Sequence, residues 1–297
     1  MRAALILGLG CAAAAAARAD TITVGVFAPS APFPSTAARV ELAARLGEHV
    51  GRALGGTGVG RVYARAGDFA AAVRKGEVTV ALVDAAYLAG TGGYVVIAGA
   101  VQGAGGPAQP WQVLARAGTR TLAELRGRRV LVPSNGGREA DFVLDVLLGG
   151  AERELFGKIE AAPDTASAVA ALGLGKADAA IVPAGVDPPA GMAQVIALPP
   201  LPTPLLVAYG AVPAARRAAL AQAAASFTGD AVVAAFKEGG DDGVQALARR
   251  FAPPVKRGPL LVPAVRVIAG DLVEARAFSI ERTPASAFMI APAPAAR

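Results

Sequence analysis

Four short loops carry the side chains of this sequence that could bind or react with a small molecule. Each loop follows an apolar run that is typical of a buried strand. In open α/β sheets, the loops at the carboxyl ends of parallel strands converge with helix N-termini, whose free backbone N–H groups attract anions. The four loops comprise residues 28–35, 84–87, 134–138 and 183–185. We expect a ligand to contact Ser30, Asp84, Tyr87, Ser134, Asn135, Gly136, Gly137, Arg138 and Pro183.

The loop SNGG at residues 134–137 is the most specific of these four candidate ligand-binding loops. Ser134 or Asn135 can cap the following helix or turn its side chain to a ligand, and the two glycines let an anion approach the backbone closely. An ordinary helix cap and an anion site both fit this pattern. Asp84 leaves a similar choice open, between a contact to a cationic or hydroxyl group and a cap of the next turn.

The sequence contains no set of residues that would be expected to catalyse a reaction. His49 is the only histidine and Cys11 the only cysteine, so a transition-metal site or a Ser-His-Asp triad is nearly excluded. Gly150 and Gly157-Lys158 have the spacing of a phosphate-binding loop, yet Ile159 stands where that motif needs Ser or Thr. We therefore expect no enzyme activity, no metal and no cofactor.

The sequence pattern predicts that strands and helices alternate along the chain, and these elements would position the four loops. Such alternation indicates that the strands of a sheet pair in parallel. A first run has strands at 21–27, 61–64 and 78–83, a helix from Ser35 or Thr36 to residue 54, and a helix at 68–75 capped by Asp68. A second run follows, with a capping-box pattern at Thr121 and Glu124, strands at 129–133 and 178–182, a helix around Phe142 and Val146, and a helix capped by Asp164.

The two runs resemble each other, because residues 68–85 and 164–184 both read as a capped helix, a glycine stop and a buried strand. Coincidence in an alanine-rich chain is the alternative. We predict a two-lobed α/β fold in which each lobe is a mostly parallel sheet flanked by helices. The predicted boundaries are 20–112 with 205–254 for the first lobe and 113–204 for the second, with a hinge near 112–118 and 205–209.

The C-terminal third continues with a strand at 205–209 that crosses back to the first lobe and a helix that starts at Pro213. Two short helices follow, one capped at Asp230 and one near Asp241 or Asp242. The sequence pattern of residues 255–297 predicts a β-hairpin-like extension followed by a frayed tail.

The first 19 residues have the pattern of a secretory signal peptide. Arg2 precedes an apolar run, and Ala17-Arg18-Ala19 is typical of a cleavage site. We predict cleavage after Ala19 and a periplasmic location, with lipid attachment at Cys11 as a minor alternative. The net charge of +6 is scattered along the chain, which argues against a nucleic-acid partner and is compatible with an anionic ligand.

Residues 21–251 resemble the substrate-binding proteins of phosphate, phosphite and phosphonate ABC transporters, which have the type II periplasmic-binding fold. The resemblance rests on TITVGVFAPS, DFAAAVRKGEVTVALVDAAYL, TLAELRGRRVLVPSNGG and ADAAIVPA, in that order. In that family, adjacent Ser and Thr hydroxyls of the second-lobe loop hold the phosphonate oxygens. Here the matching loop keeps only the hydroxyl of Ser134, while Ser30 matches the family's first contact segment and Asp84 and Tyr87 its second.

The resemblance implies a monomeric protein that captures a small, anionic, phosphonate- or phosphate-like ligand between its lobes and delivers it to a permease of the inner membrane. The alternative function is a ligand-sensing or scaffold protein of the cell envelope that uses the same fold to engage a protein partner.

Overall fold

The structure is a computed structural model that describes residues 21–103 and 106–251. The predicted signal peptide, Cys11 and the predicted hairpin at 255–297 lie outside the described residues. The strands of the described part are β1 (Thr21–Phe27), β2 (Thr57–Val62), β3 (Val80–Val83), β4 (Tyr94–Val101), β5 (Ala108–Arg116), β6 (Arg129–Pro133), β7 (Lys158–Ala162), β8 (Ala179–Pro183), β9 (Met192–Pro202), β10 (Leu205–Tyr209) and β11 (Ala235–Lys237).

The helices of the same part are α1 (Thr36–Ala53), α2 (Ala66–Arg74), α3 (Ala85–Leu88), α4 (Glu139–Asp141), α5 (Thr165–Gly173), α6 (Ala214–Ser226) and α7 (Asp241–Phe251). A 3₁₀ turn spans Leu122–Leu125, and a π-helix at Phe142–Leu147 continues α4. Within the described residues, no helix is both long and apolar enough to cross a bilayer.

The strands form two sheets, and the predicted repeat is confirmed by their order. The six-stranded sheet runs β11-β4-β10-β3-β1-β2 and the five-stranded sheet runs β7-β6-β8-β5-β9. In both, three parallel strands are followed by an antiparallel one, so β2-β1-β3-β10 corresponds to β7-β6-β8-β5. We call the part built on the six-stranded sheet the first lobe and the part built on the five-stranded sheet the second lobe.

Helix α1 forms as the sequence predicts. The Ser35 hydroxyl oxygen accepts a hydrogen bond from the N–H of Ala38 at 3.1 Å, which caps the first turn. Leu42, Leu46 and Val50 are buried on one face. The helix ends before Gly55, whose φ of 74° is a conformation that few other residues adopt.

The second strand differs from the prediction of 61–64, because β2 begins at residue 57. Glycines allow α1 to lie directly on this strand: a Cβ added at Gly58 would be 1.8 Å from the carbonyl oxygen of Gly47, and one added at Gly60 would be 1.8 Å from that of Ala43. The glycines therefore allow the helix to pack closely on the strand.

Two predicted helix caps are wrong. Asp68 lies in the first turn of α2, which begins at Ala66 after Arg65. The Asp230 carboxylate accepts hydrogen bonds from the N–H groups of Val232 and Val233, but it closes a turn that leads into β11 and not into a helix.

The chain passes between the sheets earlier than the predicted hinge at 112–118. Strand β5 belongs entirely to the second sheet, so the first crossover lies between Val101 and Ala108. The return lies between Pro202 and Leu205, at the end of β9. The exact lobe boundaries stay a prediction.

Candidate ligand site

The first lobe contributes a buried carboxyl group to the site. Because β1 and β3 are neighbouring parallel strands, the loops that follow them are adjacent, and the N–H of Ser30 donates a hydrogen bond of 2.7 Å to Oδ2 of Asp84. Asp84 is only 5% exposed, and burial raises its pKa to about 7, against the opposing effects of Ser30 and of the Arg39 charge. Its Oδ1 has no hydrogen-bond partner among the described residues.

Tyr87 follows Asp84 in the short helix α3 and joins an aromatic cluster. Its ring lies 4.9 Å from that of Phe27 and 5.9 Å from that of Phe69, measured between centroids. Burial raises the pKa of its phenol, although the Arg74 charge opposes this. A cavity of about 150 Å³ beside the ring is lined by Phe69, Arg74, Thr91 and Tyr209 among others.

The second lobe contributes the loop after β6, in which the positive φ angles of Gly136 and Gly137 turn the backbone. The Glu139 carboxylate oxygen Oε1 accepts hydrogen bonds from the N–H of Asn135 at 2.8 Å and from that of Gly137 at 3.2 Å. The side chain of Asn135 is buried, and neither its Oδ1 nor its Nδ2 has a partner in the described part of the chain. The half-buried Ser134 forms the start of the loop, where its N–H donates to the carbonyl oxygen of Ala162 at 2.8 Å.

The two loops meet through Tyr87 and Gly136. A Cβ added at Gly136 would lie 2.9 Å from Cε2 of Tyr87, so the tyrosine ring rests on the glycine backbone. Asp84 and Asn135 are close neighbours of these two residues along the chain. Asp84 is therefore three residues from this contact along the chain, and Asn135 is one residue from it.

The side chain of Arg138 contacts α7 and lies close to Gly90 of the first lobe. Its guanidinium carbon lies 4.0 Å from the ring centroid of Phe251, in a cation–π contact. A Cβ added at Gly90 would lie 2.4 Å from one of its guanidinium nitrogens. The charge of Arg138 is thus already in contact with an aromatic ring.

A second set of contacts between the lobes was not predicted from the sequence. Arg39 of α1 forms an ion pair with Asp164 at 2.5 Å, and the two side chains are 7% and 13% exposed. The hydroxyl of Thr165 donates to the carbonyl oxygens of Pro29, at 3.2 Å, and Ser30, at 3.0 Å. Burial raises the pKa of Asp164, but hydrogen bonds from Ser167 and Arg39 outweigh it and lower the pKa overall. The position of Arg39, three residues before Leu42 on the apolar face of α1, is a sequence signal of a buried arginine, although it does not identify the partner.

Pro183 does not join the other predicted residues. It pairs with Trp111 of β5, and its carbonyl oxygen accepts a hydrogen bond of 3.4 Å from the Gln112 amide. A groove of about 570 Å³ lies near it, between Pro32–Pro34 of the first lobe and α5 with residues 185–189 of the second. This groove is lined by Thr165 but by none of the nine predicted residues.

Within residues 21–103 and 106–251, no group of three or more His, Cys, Asp or Glu side chains could hold a metal ion. His49 lies away from the loops, and its Nε2 is 2.8 Å from the carbonyl oxygen of Ala223 in α6.

Comparison with known proteins identifies the fold. No protein-family model matches the sequence, and no curated protein matches it significantly. Among solved structures, PhnD1 from Prochlorococcus marinus in complex with methylphosphonate is 12% identical, with 77% of this chain and 96% of that one covered and a TM-score of 0.60.

Two further structures give the same result. A binding protein component of an ABC phosphonate transporter from Pseudomonas aeruginosa is 11% identical over 78% of this chain and 85% of its own, with a TM-score of 0.62. A Xanthomonas citri protein bound to chloride ion is 12% identical over 78% of this chain and 97% of its own, with a TM-score of 0.60. The predicted two-lobed α/β fold of the periplasmic-binding type is confirmed.

Proposed function

We propose that this chain is an exported solute-binding protein that captures a small polar molecule between its lobes, performs no chemistry on it and delivers it to a membrane permease. The proposal rests on three buried polar atoms, namely Oδ1 of Asp84 and Oδ1 and Nδ2 of Asn135, that lack partners among the described residues. Buried polar groups are nearly always hydrogen-bonded, and leaving one unsatisfied costs about 1 to 3 kcal/mol. A bound solute that supplies the missing hydrogen bonds would offset that cost.

The position of these atoms supports capture between lobes. Asp84 follows β3 of the first lobe and Asn135 follows β6 of the second, so a molecule that contacts both joins the two lobes. Their loops touch through Tyr87 and Gly136. Ligands of two-lobed binding proteins act in this way, because contacts to both lobes favour the closed form.

The sequence resemblance implies a phosphate- or phosphonate-like anion as one candidate ligand of this site. The half-buried hydroxyl of Ser134 and the guanidinium of Arg138 are the groups of the second-lobe loop that support it. Arg138 would have to serve the anion while it remains in contact with Phe251.

Thermal unfolding of the exported protein in the presence of defined solutes tests the proposal. The set comprises phosphate, methylphosphonate, agmatine, myo-inositol and a protein-free small-molecule extract of the periplasm. A solute at 100 times its Kd adds about 2.7 kcal/mol to the unfolding free energy. We expect one of these to raise the midpoint for the wild type but not for Asn135→Leu.

Gln222→Leu is the matched control, because Gln222 is exposed on α6. It makes the same kind of change outside the site and should respond like the wild type. If no solute or extract shifts the wild type, or if Asn135→Leu responds equally, capture at this site is refuted.

A scaffold or sensor of the cell envelope is the second candidate, and the buried ion pair between Arg39 and Asp164 favours it. A protein whose lobes are joined by its own side chains can hold one shape without a solute. The scaffold form of this candidate predicts that a membrane or envelope protein, and no small molecule, changes the unfolding midpoint.

A further inference from the structure

Glu139 occupies the part of the second-lobe loop that is best suited to hold an anion. Its carboxylate accepts the N–H groups of Asn135 and Gly137, at 2.8 and 3.2 Å, and the residue is 8% exposed. Hydrogen bonds from backbone N–H groups to an ionised carboxylate are stronger than those between neutral groups. The two N–H groups are therefore already satisfied by a negative charge of the chain itself.

The other charges near the loops add to this effect. Asp84 places a second carboxyl group at the end of β3, and Arg39, whose charge acts to lower the pKa of Asp84, is paired with Asp164. Arg138 lies on the ring of Phe251. An incoming oxyanion would meet two carboxyl groups, while both neighbouring arginines have other partners, and such an arrangement disfavours anions.

The groups without partners define what the site can accept. Oδ1 of Asn135 and Oδ1 of the ionised form of Asp84 are hydrogen-bond acceptors, and Nδ2 of Asn135 is a donor. Both residues are 5% exposed. A ligand that satisfies these atoms must donate at least two hydrogen bonds, which an amine, an amide or a polyol can do and a fully ionised phosphonate group cannot.

We propose that Glu139 serves as a built-in anion that closes the second-lobe loop to phosphate- and phosphonate-like ligands, so that the site selects an uncharged or cationic molecule rich in hydrogen-bond donors. The role of Glu139 depends only on the loop, whereas the ligand class rests on the proposed function. An experiment can therefore contradict the ligand class without contradicting the role of Glu139, and the reverse is also possible.

Isothermal titration of phosphate and methylphosphonate into the exported wild type, Glu139→Ala and Glu139→Ser tests the role of Glu139. Both substitutions remove the carboxylate and free the N–H groups of Asn135 and Gly137, and the serine variant keeps a small polar side chain if the alanine variant folds poorly. Glu48→Ala is the matched control, because Glu48 is exposed on α1 and its loss changes the net charge equally.

We expect no binding of either oxyanion to the wild type or to Glu48→Ala, and at least tenfold tighter binding to a Glu139 variant. Binding of phosphate or methylphosphonate to the wild type with the affinity of the variants would overturn the proposal. So would a failure of both folded variants to bind, since the loop would then not be an anion site at all.

The ligand class is tested by titration of agmatine and myo-inositol into the wild type and Asn135→Leu. Binding of one of them that Asn135→Leu weakens at least tenfold supports the assignment. If only oxyanions bind the wild type, the class is wrong while solute capture stands. If oxyanions bind the Glu139 variants but no solute or extract binds the wild type, the role of Glu139 stands and the proposed function fails.

Discussion

At the scale of single residues, Asp84 belongs to the candidate site and also affects the stability of the fold. Its carboxyl group is held by one hydrogen bond, from the N–H of Ser30, in a buried position. Burial without a cationic partner disfavours the charged form. The group is therefore one that a ligand's hydrogen-bond donor or positive charge would stabilise.

The raised pKa of Asp84 predicts a pH dependence of stability. The folded pKa of about 7 lies above the ordinary value of 3.8, so the folded state binds more protons between these values, and the unfolding free energy falls as pH rises through this window. The amide in the Asp84→Asn variant does not ionise, so this fall in the unfolding free energy does not occur there. We expect it to be more stable than the wild type at pH 8, by at most about 4 kcal/mol, with a smaller difference at pH 4.5.

Urea unfolding of both proteins at the two pH values measures this difference. Asn can still accept the hydrogen bond from Ser30, so the comparison isolates the charge. A difference between the two proteins that does not grow with pH would contradict the buried, partnerless state of Oδ1.

The sequence could select Asp84 and Asn135 as candidate ligand contacts, but it could not predict the hydrogen bonds of Glu139. Polar residues directly after buried strands indicate a site, because strand ends and loops are visible in the apolar pattern. Whether a loop N–H faces a ligand or a carboxylate four residues away depends on side-chain geometry, which that pattern does not contain. Arg39 and Asp164, 125 residues apart, form their contact only through the tertiary fold.

At the scale of elements, the contact of α1 with β2 depends on glycine. The strand residues Gly58 and Gly60 and the helix residues Gly47 and Gly51 let the two backbones touch. The pattern of apolar residues predicts α1 well, since Leu42, Leu46 and Val50 are all buried. It fails for β2, because glycine is rare in strands and common in turns.

Gly60→Ala is therefore expected to be strongly destabilising. The new Cβ would lie 1.8 Å from the carbonyl oxygen of Ala43 and 2.0 Å from its carbon, so α1 must move away from the sheet. Overpacking of this kind costs about 1 to 3 kcal/mol and sometimes more. Thermal or urea unfolding should show a loss of at least about 2 kcal/mol.

Gly67→Ala is the control for this prediction. Gly67 lies in α2 and a Cβ there meets no atom within 4 Å, so the change should stabilise the helix by about 0.5 to 1 kcal/mol. If Gly60→Ala is tolerated as well as Gly67→Ala, the close approach of α1 to β2 is wrong.

At the scale of the whole molecule, the lobes share one construction and are joined by contacts of different chemistry. The repeat at 68–85 and 164–184 was visible in the sequence because each copy keeps a glycine stop before a buried strand. The crossover positions were not, because β5 and the strands on either side of each crossover have similar apolar patterns. The buried pair of Arg39 and Asp164 is the polar contact that links α1 to α5.

Removing only one member of the Arg39–Asp164 ion pair should lower the unfolding free energy more than removing both charges. Arg39→Met leaves Asp164 buried without its partner, and such changes cost about 3 to 5 kcal/mol. In Arg39→Met/Asp164→Asn the amide can still accept the hydrogen bond from Ser167 that caps α5, so we expect this double variant to be more stable than Arg39→Met. Urea unfolding of the two single variants and the double variant completes the cycle, and additive losses would show that the pair does not interact.

The distance between the lobes tests the central claim, that a small solute is captured between them, most directly. Spin labels can be attached at Arg52→Cys on the first lobe and Leu174→Cys on the second, both exposed positions, in a chain with Cys11→Ser. Electron–electron double resonance then compares the distance distribution with and without a protein-free extract of periplasmic small molecules. We predict that the extract shifts the distribution to one short, narrow distance for the wild-type site and leaves Asn135→Leu unchanged. A wild-type distribution that the extract does not alter would contradict solute capture.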